Sequence, residues 1–159
     1  MFVSGSGLDP AGSGAILVGA SNFSSGGAPT RGAAPVAVTE AAAAAVPRTP
    51  TGLAGVDRVL GGGLVPGSLL LVAGEPGIGK STLLLQVAAA MAGPSAPAVF
   101  VSGEESAQQV ALRARRTGCL SEHLLLLAET GCDAVLGHLA RLTPSVVVVD
   151  SVQTMAVES

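Results

Sequence analysis

The chain has 159 residues, of which 48% are hydrophobic and 12% charged, enough to bury one core of ordinary size and so to form one domain. Its net charge of -3 gives no broad positive field, so composition points neither to nucleic acid nor to an acidic membrane surface, and any polyanion must be held locally. Apolar runs fall far short of the roughly 20 residues that cross a bilayer, and no Lys or Arg precedes the apolar patch at 15–18 as a secretory signal would require. The expectation is a cytoplasmic chain with no membrane partner.

Residues 1–48 are rich in Gly, Ser, Ala and Pro without sustained periodicity, and read as a disordered, low-complexity lead-in. Their Gly-Ser-Gly triplets at 5–7 and 12–14 do not follow a strand and lack the spacing of a dinucleotide loop. The character changes near Thr51. Leu53, Val56, Val59 and Leu60 recur at helical spacing and Gly61-Gly62-Gly63 ends that helix. A turn at Pro66-Gly67 delivers the apolar strand 69–72, and a helix starting near Lys80 runs to Met91 before Gly93-Pro94.

The pattern then repeats: strand 98–101, helix 106–116, strand 124–127, helix 133–142, strand 146–149. Ser106 and Gln109 have the spacing of a capping box, and Gly118 suits the exit of the same helix. Near-continuously apolar strands alternating with helices predict an α/β fold, a mainly parallel sheet covered on both faces. Right-handed crossovers place the strand C-termini along one edge, where such sheets bind ligands.

Three motifs emerge at that edge. Gly74-Glu75-Pro76-Gly77-Ile78-Gly79-Lys80-Ser81 matches G-x-x-x-x-G-K-[ST] between a strand and a helix. Its glycines let main-chain N–H groups turn around phosphate oxygens, and the helix N-terminus adds its positive dipole end. Lys80 is the only lysine of the chain; it would reach the β- and γ-phosphates of a nucleoside triphosphate, the Ser81 hydroxyl would ligate Mg²⁺, and Thr82 would pack or touch phosphate. The run Val146-Val147-Val148-Val149 ends in Asp150, a Walker-B pattern whose carboxylate would hold the same Mg²⁺. Glu104, just past the second strand of the alternation, would orient or deprotonate the attacking water, while Glu105 would serve the next helix N-terminus. Arg113, Arg115 and Arg116 read by default as a solvated helix face, with a nucleotide or nucleic-acid contact as the alternative, in which Arg113 or Arg116 would flank the base. Cys119 and Cys132 show no C-x-x-C spacing and read as reduced structural residues, and His123 and His138 carry no assigned role.

The stretches TGLAGVDRVLGGGLVPGSLLLVAGEPGIGKSTLLLQ, VFVSGEES, RARR and VVVVDSVQTM, in this order, resemble the bacterial RadA (Sms) DNA repair family of RecA-like ATPases. The resemblance spans about residues 46–158 and makes 49–159 a partial RecA-like P-loop domain, incomplete at its C-terminus. It implies ATP hydrolysis with Lys80, Ser81 and Asp150 as the P-loop and Walker-B residues and Glu104 as the catalytic glutamate. It also implies single-stranded or branched DNA as partner, branch migration, and a homo-hexameric ring. Members of the family begin with a four-cysteine zinc module, whereas no cysteine precedes Val46, so zinc is not expected. They continue past the Walker-B segment with a strand that lies between the P-loop and Walker-B strands, a Lys-Asn-Arg-Phe-Gly motif and a Lon-protease-like domain. Without that strand the chain is expected to fold poorly alone, or to close the gap by other pairing, and to hydrolyse ATP weakly or not at all. A non-catalytic nucleotide-binding module and an inactive gene fragment are the competing readings; a carboxylate at position 104 speaks against the first.

Overall fold

The computed structural model describes residues 15–19, 35–43 and 47–157. In chain order these form strand β1 (Ala15–Gly19), helices α1 (Val38–Ala43) and α2 (Ala54–Val59), β2 (Leu69–Val72), α3 (Lys80–Met91), β3 (Ala98–Ser102), α4 (Ala107–Arg116), β4 (Leu124–Ala128), α5 (Cys132–Leu142), β5 (Val146–Asp150) and a 3₁₀ turn at Val152–Thr154. From residue 51 onward the expected alternation is present, its ends moved by about a residue.

One sheet contains all the strands in the order β2-β1-β5-β3-β4. β5 pairs in parallel with β3, and β3 with β4, so that Ser102 lies beside both Asp150 and Ala128. β1 runs antiparallel to both of its neighbours, Ala15 opposing Val72 on one side and Asp150 on the other. β2 therefore points the same way as β5, β3 and β4, and the C-terminal ends of these four strands share one edge. The slot expected to lie open between the P-loop strand and the Walker-B strand holds β1. Neighbouring strands sit about 4.8 Å apart, so one added strand satisfies the main-chain donors and acceptors of both flanks.

This corrects the reading of residues 15–19 as part of a structureless lead-in, and α1 at Val38–Ala43 departs from it too. Only long-range pairing makes residues 15–19 a strand; their Gly- and Ser-rich surroundings carry no local periodicity. Most of the remaining lead-in lies outside the described residues.

Two cores flank the sheet because alternate residues of a strand face opposite sides. Phe100, Val146 and Val148 face α3 and α4, where they meet Leu84, Leu85, Ala88 and Val110. Val99, Val101 and Val147 face the other way, onto Val135 and Leu139 of α5. β3 is buried along its whole length. β2, at the sheet edge, buries one face only: Leu70 and Val72 pack toward α3, while Leu69 and Leu71 are 65% and 48% exposed.

The expected capping box is formed. Ser106 Oγ accepts from the Gln109 N–H at 3.3 Å and Gln109 Oε1 accepts from the Ser106 N–H at 2.9 Å. This fixes where α4 starts, with residues 103–106 between it and β3, and so fixes the short turn that carries Glu104 and Glu105. Before the sheet, Asp57 Oδ1 accepts from the Thr51 N–H at 2.7 Å and the Thr51 hydroxyl at 2.8 Å, tying α2 to the segment that enters it.

Candidate functional site

A cleft of about 360 Å³ opens at the shared strand edge, within the range of small-ligand pockets. Its walls come from three turns that the register brings level: the loop after β2, the turn after β3 and the end of β5.

The loop after β2 contributes Pro76, Gly77 and Gly79, and the first turn of α3 contributes Lys80, Ser81 and Thr82. Gly77 and Gly79 take φ of +79° and +104°, a left-handed region that costs a residue with a Cβ about 1–2 kcal/mol. These two positions bend the main chain into the first turn of α3, whose unpaired N–H groups and dipole face the cleft. Lys80 Nζ donates to the carbonyls of Gly74 and Glu75, both at 2.8 Å, so the ammonium folds over the mouth of its own loop. Gly74, Glu75 and Ile78, expected as binding residues, do not line the cleft. The first two hold Lys80 through their carbonyls, and the Ile78 side chain is 71% exposed.

Asp150 closes the far wall at the end of β5, and its peptide bond to Ser151 is cis. Glu104 and Glu105 stand between, on the turn after β3. Glu104 Oε1 accepts from the Ser151 hydroxyl at 2.7 Å. Two donor groups of the set, the Ser81 hydroxyl and the Asp150 carboxylate, are hard oxygens, the chemistry that Mg²⁺ takes beside substrate phosphates. A Gly-rich helix N-terminus, one ammonium and a carboxylate–hydroxyl pair on one cleft fit a metal–triphosphate ligand.

Two expectations need correction. Glu105 does not simply face the α4 N-terminus; its Oε1 forms an ion pair with Arg113 Nη2. Arg113 in turn leaves the solvated face and lines the cleft, with only 16% of its side chain accessible and Nη1 buried without a partner. Val110 and Ala114 form the buried stripe of α4, and position 113 sits three residues after the first and next to the second. That spacing was the available signal, since Arg115 and Arg116 point away and are exposed. Ser102 and Ser151 were missed altogether. Both are buried polar residues at strand ends, Ser102 Oγ accepting from the Glu105 N–H at 3.0 Å, and nothing in their local sequence marks them.

On the neighbouring strand end, Glu129 Oε1 accepts from the Gly131 and Thr130 N–H groups at 2.9 and 2.8 Å. Those main-chain donors, Gly131 first, hold its carboxyl below the usual range. Thr51 does the same for Asp57, its N–H first and its hydroxyl second. Among the described residues no helix is long and apolar enough to cross a membrane.

Comparison with known families matches residues 49–126 to the family described as ATPase: KaiC. The chain is 49% identical over 145 residues to the DNA repair protein RadA of Mycolicibacterium smegmatis, covering 89% of this chain and 31% of that protein. It is 46% identical over 123 residues to the RadA protein of Halalkalibacterium halodurans, covering 77% and 27%. The RadA protein of Haemophilus influenzae matches at 50% over 109 residues, covering 69% and 24%. The chain thus spans less than a third of the length of these curated relatives. Fold, motif context and homology agree: the chain carries a RecA-like P-loop ATPase core of the KaiC type and belongs with the bacterial DNA repair proteins named RadA.

Proposed function

We propose that the chain is the ATP-binding and ATP-hydrolysing core of a RadA-type DNA repair protein. The observation that carries this reading is the convergence of Lys80, Ser81, Glu104 and Asp150 on one cleft, from three separate turns. In this reading the Lys80 ammonium exchanges its two loop carbonyls for phosphate oxygens and, with the N–H groups of the loop, offsets charge on the leaving diphosphate. Ser81 and Asp150 would hold Mg²⁺, which when bound would neutralise charge at the terminal phosphates. Glu104 orients a water and accepts its proton. Single-stranded or branched DNA as substrate, a hexameric ring and branch migration enter through the relatives' name and the family resemblance, and belong to the whole protein.

A binding module without turnover is the rival reading, and two variants separate them. Lys80→Ala is expected to weaken ATP binding at least 10-fold in calorimetry, since it removes the one ammonium of the cleft. Glu104→Gln is expected to keep ATP affinity and to lose about 100-fold in phosphate release. Phosphate release unchanged in Glu104→Gln would overturn the assignment of Glu104, and ATP binding without phosphate release by the unsubstituted chain would leave a nucleotide-binding module.

A further inference from the structure

Besides the cap of α4 and the Glu105–Arg113 ion pair, the turn that carries Glu104 is held by the segment that follows β5. The residue before Glu104, Gly103, donates its N–H to the Asp150 carbonyl at 3.1 Å. A Cβ on Gly103 would overlap Thr154 Oγ1, so the 3₁₀ turn at 152–154 lies flat against the glycine. Thr154 is itself fixed, its hydroxyl donating to the Ser151 carbonyl at 2.7 Å and its N–H to the same oxygen at 3.2 Å. At the centre of this contact Ser151, 1% exposed, donates its hydroxyl to Glu104 Oε1.

Glu104 is an exposed residue. An exposed glutamate samples many rotamers, and general-base catalysis needs its carboxylate within about 3 Å of one water. A buried hydroxyl is the opposite kind of group: its own position is set by the main chain, and leaving it unpaired costs about 1–3 kcal/mol. The pair therefore lends the rigidity of β5 to a mobile carboxylate. Oε1 is engaged by this hydroxyl, and among the described residues no hydrogen bond is made to the other carboxylate oxygen.

We infer that Ser151 is a positioning residue for Glu104, coupling the strand that ends in Asp150 to the group that prepares the water. The inference rests on the catalytic reading of Glu104. It differs from a merely structural role for Ser151 in that the hydroxyl, and not the volume, is what matters.

The test has two readouts. In nucleotide-free chain with ¹³C-labelled glutamate, the Glu104 Cδ resonance, assigned by its loss in Glu104→Gln, is expected to move in Ser151→Ala and to return in Ser151→Thr, which keeps the hydroxyl. A Glu104 resonance unmoved in Ser151→Ala would overturn the inference. With Mg²⁺ and ATP, Ser151→Ala is expected to lower kcat for phosphate release about 10-fold, the scale of one lost hydrogen bond to a charged group, with KM unchanged. Placed in the Glu104→Gln background, it should add no further loss. If Glu104→Gln is impaired while Ser151→Ala turns over at the wild-type rate, the positioning role fails alone. If Glu104→Gln itself turns over normally, the catalytic reading fails and the positioning role goes with it.

Discussion

The two halves of the sheet are built to different standards. β3 and β5 are apolar on both faces and sandwiched between α3 and α4 on one side and α5 on the other. β2 is covered on one face and reaches the rest of the sheet only through β1, which runs antiparallel to everything it touches. The candidate site straddles the difference. Its phosphate-binding loop grows from β2, while its carboxylates stand on β3 and β5. A site of this kind is as well ordered as the strand that joins its halves, and here that strand is β1.

The largest expected effect breaks the strong half. Phe100→Ala, at a side chain with no exposure, should cost about 3–5 kcal/mol in urea unfolding, against less than about 0.5 kcal/mol for Leu71→Ala on the open face of β2. Equal costs would mean that the two halves are not distinct. Next comes the joint. Leu17→Pro removes an N–H at the middle of β1, where the register sets residue 17 between Leu70 and Val148. Amide hydrogen exchange of β2 should accelerate about 100-fold while β3 and β4 keep their protection. Loss of protection throughout would make the sheet a single cooperative unit instead.

A smaller effect probes the turn after β3, within the strong half. Ser106→Ala removes the cap that fixes the start of α4, and thermal unfolding should report a loss of about 1 kcal/mol. The smallest effect is in pH. Thr51 favours the ionised form of Asp57, so its folded value lies below its unfolded one, and the stability it adds is present above the unfolded value and lost as pH falls through the folded one. Melting temperatures should therefore drop as the pH is taken below about 4, the ordinary carboxylate value, and Asp57→Asn should flatten that part of the curve. Glu129, held low by Gly131 and Thr130, adds to the same slope from the other half.

What could be read in the sequence follows this division. Elements whose signals are local were visible: the strand–loop–helix context of Lys80, the Val run ending in Asp150, the Ser106–Gln109 cap. What stayed hidden depends on partners distant in the chain. β1 is a strand only because two others flank it, and Arg113 turns inward because Glu105 waits there and because it borders the buried stripe of α4. Ser151 matters through a contact with a residue 47 positions earlier. Motifs announce the chemistry of a P-loop site, whereas the sheet register decides which unannounced side chains join it.

Amide hydrogen exchange of the chain with and without Mg²⁺ and ATP tests most directly whether the two halves form one site. The account predicts slowed exchange at once in residues 77–82 of the loop and in residues 104–105 and 151 across the cleft. Slowing confined to the loop, with the β3 and β5 ends unchanged, would contradict it.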